Sequence, residues 1–450
     1  MTMGMQSAPD GDEDREMAIG SAPRNAWRRW VPGLCIALAS CLLPYAASAD
    51  QTSNVAANPT PAPSASPSPA PVAGGWRQRL QAEGVTLRAD YLSETAANTS
   101  GGKHLGSAYA QQLRAGFDLD LGKLLGDQGG TFHFTLNDRL GTSVSATDIG
   151  NKLAVQQIYG AGQNFRLGEL SFDQYLDQRT FNFKVGFWAW GNDFGLTTLL
   201  CNFENNGFCG HPQSMPNDSG WSDYPIAKWG ARIRANLTKQ LYVQTGVFQV
   251  NPAGSSAPDG FYLGFHGSTG AIYPVEVGWT PGTSGTGLPG EYKIGAYYDA
   301  SHVSNIAYPK VLVDGRSGEY VLASQMIVPN AGRPGGLWVF AQGTTDDVAT
   351  SLIKAYLDGG VVLTAPFAGR DRDSFALGLV RADVNPKALA LKTTTDLASG
   401  EEVAEMNYGY ALSRNVQLRP DVQYVMNPGA FAYKKIENAW VYAVEAKVTF

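Results

Sequence analysis

The stretch Asn438–Phe450 (NAWVYAVEAKVTF) does most to limit what this chain can become. Trp440, Tyr442, Val444, Ala446, Val448 and Phe450 fall on one side of an extended strand, and Val441, Ala443, Glu445, Lys447 and Thr449 on the other. Alternation with period two argues for a strand with one apolar face and one wet face. The stretch stops on a bare aromatic with no polar tail. The reading that fits is the closing strand of a transmembrane β-barrel, apolar side to lipid and polar side to a water-filled lumen. An amphipathic strand of a soluble sandwich is the alternative.

The pattern recurs from Val85 onward. Val85, Leu87, Ala89 and Tyr91 alternate with Thr86, Arg88 and Asp90. Leu113, Ala115, Phe117 and Leu119 alternate with Arg114, Asp118 and Asp120, and Phe181, Phe183, Val185 and Phe187 with Asn182, Lys184 and Trp188. The inside of a sandwich is apolar, so a soluble fold has no use for so many strands with polar faces. Breaks come as short turns (Gly122–Gly130, Asp177–Arg179, Thr238–Gln240, Ser413–Asn415) and as long loops (Glu94–Tyr109, Gly141–Gln163, Trp190–Lys228, Asn251–Ala271, Ser301–Gly318). Such asymmetry is that of an outer-membrane barrel, turns periplasmic and loops extracellular. The spacing predicts an all-β antiparallel barrel over residues 85–450 with about sixteen strands, a size that leaves an aqueous channel; fourteen or eighteen fit the same breaks. Only 16% of the residues are charged, against roughly a quarter in soluble domains. No long apolar run follows residue 43, which excludes a helical membrane protein. A formal charge of −6 gives no basic footprint, so nucleic acid is not a partner.

Arg24, Arg28 and Arg29 precede the short apolar run Val31–Leu43 and the A-x-A site Ala47-Ser48-Ala49. This reads as a signal peptide over residues 1–49 with an extended n-region, in which Met17 is an alternative start. Residues 50–75 are a Pro/Ala/Ser-rich linker with nothing to bury. A short helix over residues 76–84 leads into the barrel. Once the signal is removed, Cys201 and Cys209 are the pair left, in a Gly/Asn-rich segment of an oxidising compartment. They read as a disulfide clipping a loop. A metal site would need further ligands, and only His211 is near in sequence.

By phase, Arg88, Asp90, Arg114, Asp118, Arg139, Glu169, Lys184, Arg232, Arg234, Arg419 and Asp421 point into the lumen. Pairs of arginine and carboxylate supply donors and acceptors while holding the pore near neutrality, which suits a neutral polyol. Trp188, with Trp190 and Trp221, would offer an aromatic face to a sugar ring. The loop Trp190–Lys228 is the natural constriction, either folded inward or lying as a flap over the mouth. Pro420 sits where a strand needs an N–H, so a bulge or kink is expected there. Tyr91, Tyr175, Trp229, Trp279, Tyr298, Tyr408, Tyr410, Tyr424 and Trp440 read as interface girdles. No nucleophile elbow, zinc-helix motif or other metal-spaced cluster occurs. A channel without cofactor or metal is expected rather than an enzyme.

The segments KVGFWAWGNDFG (184–195), CNFENNGFCGHP (201–212), YPIAKWGARIRANL (224–237) and RPDVQYVMNPGAF (419–431) resemble the carbohydrate-selective porin family of the OprB type, and the similarity runs over essentially all of 77–450. The resemblance implies a sixteen-stranded channel in the outer membrane of a Gram-negative bacterium, taking up glucose and related sugars by passive diffusion, as a monomer or homotrimer. It also implies that Phe450 is the sorting mark read by the outer-membrane assembly machinery. A general or small-organic-acid porin is the alternative function.

Overall fold

The computed structural model describes residues 75–450 apart from 284 and 286. The expected signal peptide, and all of the expected linker but Gly75, lie outside the described residues. Sixteen antiparallel strands follow one another. The first four are β1 (Val85–Gly102), β2 (Gly106–Asp120), β3 (Gly130–Gly141) and β4 (Phe165–Leu176). Then come β5 (Phe181–Trp188), β6 (Lys228–Asn236), β7 (Leu241–Val250) and β8 (Gly270–Trp279). They continue with β9 (Gly290–Ser304), β10 (Leu312–Pro329), β11 (Gly336–Asp346) and β12 (Ile353–Thr364). The last are β13 (Ser374–Val384), β14 (Gly400–Ala411), β15 (Val416–Met426) and β16 (Glu437–Thr449). Each pairs with its sequence neighbours, and β16 returns to β1 to close the barrel. Closure removes every sheet edge, which lipid requires because it offers unpaired backbone groups no partner. None of the helices described is long and apolar enough to cross a membrane.

The closing seam runs from Asp90↔Thr449 to Gly102↔Glu437, with irregularities around Ser100. The Phe450 N–H donates to the Ala89 carbonyl at 2.9 Å, so the last residue is tied to the first strand. Trp440, Tyr442 and Val444 are about half exposed on the outer face, while Ala439, Val441 and Glu445 are buried inside. The outward girdle includes Trp279, Tyr298, Tyr410 and Trp440, with Trp279 stacked on Tyr292 and Tyr424 against Trp440.

At one end lie turns over 121–129, 177–180, 237–240, 280–289, 330–335, 365–373 and 412–415; at the other lie connections of three to thirty-nine residues. The longest spans 189–227, beside others over 142–164, 251–269 and 385–399. Two of the expected long loops fail here: Ser301–Gly318 is one, since β9 and β10 run on to leave only residues 305–311 between them, and Glu94–Tyr109 is the other. Glu94–Tyr109 is not a long loop, because β1 and β2 extend to leave only residues 103–105 between them. The polar and small residues of that segment follow strand alternation, with Glu94, Ala96 and Asn98 inward. Helix α1 (Trp76–Ala82) forms where expected, with Trp76 mostly exposed. Gly84 then takes φ +101°, a turn that a side chain would strain. Pro420 makes no bulge against β16, where the register passes evenly through Pro420↔Val444. Pairing to β14 instead skips from Asn407↔Asp421 to Tyr410↔Leu418, so the missing N–H falls in that gap.

The lumen is not wet throughout. The connection over 142–164 and that over 189–227 both fold into the barrel. The first buries Val144, Ile149, Leu153 and Val155 against Ala96, Ala108, Val403, Val425, Ala439, Val441 and Ala443 of the inner wall. Small wall residues leave the depth the loop fills. The second buries Leu200, Phe203 and Phe208 against Phe340, Tyr356 and Val380 on one side. Its Trp190, Phe194, Met215 and Trp221 pack against Phe248, Ile272, Tyr297 and Tyr320 on the other. It therefore spans the lumen. Each such side chain contributes roughly 1.5–3 kcal/mol on full burial.

Candidate functional site

The inward loops bring their own backbone polar groups, and these need partners. Wall carboxylates supply them. Glu405 accepts from the N–H of Glu204 at 2.7 Å and of Asn205 at 2.9 Å. Glu276, fully buried, accepts from Gly195 N–H at 2.7 Å and from Tyr242, Gln244 and Tyr320 side chains at 2.8–2.9 Å. Asp299 takes Gly220 N–H at 2.8 Å, and Glu401 takes those of Lys152 and Leu153. Glu94 takes Ile158 N–H at 3.2 Å. Asp218, on the short helix of residues 214–218, reverses the relation and accepts from Leu352 and Ile353 of the wall at 2.6 and 2.8 Å. Hydrogen bonds to charged acceptors contribute about 1.5–3 kcal/mol each.

The loops leave between them and the wall a cavity of about 1020 Å³. Arg114, Arg139 and Lys447 of the wall line it, with Lys152, Gln157 and Tyr159 of the first loop and Asn206, Gln213, Asn217, Asp223 and Tyr224 of the second; Glu291, Ser324 and Trp338 complete it. Tyr224 lies near two guanidiniums, with Arg114 5.9 Å and Arg139 5.8 Å from its ring centre. Its hydroxyl donates to Asn137 at 2.8 Å. Burial holds the phenol above its ordinary pKa against the opposing pull of the two arginines, so it stays a donor.

Electrostatics of the constriction loop follow from burial. Desolvation pushes Asp218 up to about 7 against its two backbone bonds. Glu204, fully buried with neither carboxyl oxygen bonded, is raised well above the usual range by burial and then by the nearby Glu94 and Asp421. His211 is raised although burial opposes it, because Asp223 lies 3.0 Å from Nδ1 and the Gly191 carbonyl 2.6 Å from Nε2.

The charges expected in the lumen do point inward, but most are spent on one another. Arg88 pairs with Asp118 at 2.8 Å, Arg114 with Asp90 at 2.5 Å, Lys184 with Glu169 at 2.8 Å and Arg419 with Glu445 at 2.7 Å. Arg232 sits between Asp193 at 3.2 Å and Asp173 at 3.6 Å. Arg234 stacks over Tyr242 at 3.6 Å, and Asp421 accepts from Gln423 at 2.9 Å. Only Arg114 and Arg139 of that set line the cavity.

Trp188 is a correction. It is 2% exposed, packed edge-on against Phe248, with Nε1–H donated to Asp193 at 2.9 Å. Trp190 and Trp221 are buried beside it, because the constriction loop closes over all three. The aromatic faces in the cavity are Tyr224, Trp338 and Tyr159. The wall acids Glu94, Glu276 and Glu401 were also missed; the signal was an inward-phase acid on a strand without an inward-phase base opposite. Cys201 and Cys209 lie with Sγ atoms 2.6 Å apart, not joined in this structure, and both line the cavity. Among the described residues no group of three or more His, Cys, Asp or Glu is arranged to hold a metal ion.

A closed sixteen-stranded barrel whose loops narrow an aqueous lumen defines a porin, a class of channel of the Gram-negative outer membrane. Residues 104–450 match the model of the carbohydrate-selective porin family, OprB, and the chain belongs to that family. It is 30% identical over 412 residues to Porin B of Pseudomonas aeruginosa, covering 84% of this chain and 90% of the relative. A structure of Pseudomonas putida OprB at high pH superposes with a TM-score of 0.77 at 28% identity, over 84% of this chain and 97% of that one. A Salmonella typhi OmpF structure, 10% identical with a TM-score of 0.51 over 82% of this chain and 99% of that one, shares the fold alone.

Glu405→Ala removes both backbone anchors of the Phe203 segment. Amide exchange at Glu204 and Asn205 is expected to speed up by about tenfold or more, with noisier open-channel current. Unchanged protection at both amides would show that Glu405 does not hold the loop.

Proposed function

We propose that the chain carries glucose and related sugars passively across the outer membrane, and that the cavity between the two inward loops is where they pause. The observation that carries this reading is the cavity's mixture: aromatic faces at Tyr224 and Trp338, amides at Asn206, Gln213 and Asn217, and charged groups at Arg114, Arg139 and Asp223 around one space. A sugar has an apolar C–H face and a rim of hydroxyls, so it needs both kinds of contact together. The wall pairs that keep some exposure, Arg88–Asp118 and Arg114–Asp90, act as a polar lining along the path, whereas Arg419–Glu445 is buried. The route is a channel rather than an enzyme. In planar bilayers, glucose is expected to reduce the ion current in a saturating way, and Tyr224→Ala to weaken that block several-fold, a stacking face being worth about 1 kcal/mol. Glucose that leaves the current unchanged at every concentration sinks the binding site.

The mature chain of this reading begins after a signal peptide over residues 1–49 and a linker over 50–75. In the oxidising periplasm Cys201 and Cys209 form a disulfide that clips the loop, a cross-link worth on the order of 2–3 kcal/mol. Protein isolated without reductant should then show no titratable thiol until it is reduced; free thiols at the outset would refute the cross-link. Phe450, half exposed on the outer face, is the mark the assembly machinery reads. Deleting it should cut the amount of folded barrel in the membrane while leaving the conductance of assembled channels unchanged, and normal surface levels of the deletion would remove that role.

A further inference from the structure

We infer that the cavity also admits sugar acids, polyols of hexose size that end in a carboxylate, and that Arg139, Lys152 and Lys447 receive the negative end. The inference deepens the sugar-uptake reading and rests on it. The chain as a whole is acidic, with a formal charge of −6, yet the cavity is biased the other way. Four basic residues line it, Arg114, Arg139, Lys152 and Lys447, against the two acids Asp223 and Glu291.

The bias is larger than the count suggests, because both acids contact a basic side chain within 3.0 Å, while among the described residues three of the four bases form no ion pair. Asp223 is held by the His211 ring at 3.0 Å and Glu291 by the Lys293 ammonium at 2.7 Å. Among the described residues only Arg114 of these bases forms an ion pair with a carboxylate, Asp90; Arg139 lies within electrostatic reach of Asp223 and Glu94 without pairing to either. Arg139 spends Nε on the neutral amide of Gln112 at 2.8 Å and stacks on Tyr224. Among the described residues its terminal nitrogens have no hydrogen bond or ion pair. The ammonium groups of Lys152 and Lys447 are likewise without an ion pair there. The acids that Lys152 senses, Asp218 and Glu401, each direct their oxygens to two backbone N–H groups.

Arg139 and Lys447 line the same cavity from β3 and β16, together with Cys201 and Cys209, whose sulfurs are neighbours. A carboxylate there meets a planar guanidinium with two free donors and a mobile point charge, a fit that a neutral aldose leaves unused. The hydroxyls of the same solute reach the amides of Gln157, Asn206 and Gln213. Cations without an ion pair in a narrow lumen with low-dielectric walls also raise the local anion concentration, which is the behaviour of a steering site.

The test is the assembled channel in planar bilayers, with reversal potentials in a potassium gluconate gradient and current block by glucose measured on the same protein. Gluconate is expected to permeate in preference to potassium. The double variant Lys152→Gln and Lys447→Gln is expected to lower the gluconate-to-potassium permeability ratio by about five- to tenfold. Arg139→Lys retains the charge and is expected to keep most of that ratio, whereas Arg139→Gln is expected to lower it. A potassium preference in the native channel, or a ratio that the double variant leaves unchanged, overturns the inference. If glucose still blocks the current in that case, sugar uptake stands and only the acid-receiving end is wrong. If glucose blocks nothing, the sugar reading itself has failed.

Discussion

Every feature of this protein depends on the backbone hydrogen bond having no partner in lipid. A strand exposed to hydrocarbon must give all its N–H and C=O groups to its neighbours, and only a closed sheet lets every strand do so. Pairing of β1 with β16 is the last such contact and the one with the longest sequence separation, from Ala89 to Phe450. The same requirement governs the inside. Two long loops enter the lumen, and their amides cannot all be met by water in so narrow a space. Glu405, Glu276, Asp299, Glu401 and Glu94 meet a set of them from the wall.

This explains why the inner wall has two kinds of surface. Where the loops lie, the wall is apolar and small, or aromatic: Ala96, Ala439, Val441 and Val380, with Phe340 and Tyr356 taking the loop's Phe203 and Phe208. Where the loops leave space, the wall is polar, with Arg114 paired to Asp90 across strands and Arg139 and Lys447 facing the same cavity. Burying loop aromatics fixes the position of the constriction in the same way a core fixes a soluble domain, and the carboxylates fix its register. A cavity formed between two such surfaces keeps its shape because both sides are anchored.

Much of the barrel was legible in the linear chain. Period-two alternation, turn residues and the terminal aromatic strand led to sixteen strands and to the inward phase of Arg88, Arg114, Arg232 and Arg419, all of which lie inside. The site was less legible. Trp188 has the phase of a pore-lining residue, and nothing local says that Phe248 and a loop will cover it. Tyr224 lies in a loop with no periodicity at all, and comes near Arg114 and Arg139 only because that loop crosses the lumen. The inward valines and alanines of β13 to β16 interrupt a wet face in the linear chain, and the loops packed on them account for it.

Sequence by itself determined the class of fold and the facing of most strand residues, because alternation and turn chemistry are properties of near neighbours. It also carried the acids and bases of the lumen. Tertiary structure decided which of those charges cancel and which remain: among the described residues Arg139, Lys152 and Lys447 form no ion pair, while Asp223 and Glu291 do. That outcome depends on distances between strands and loops far apart in the chain, and Coulomb interactions at contact range change by several-fold over a few ångströms. A pattern along one dimension holds no such distances.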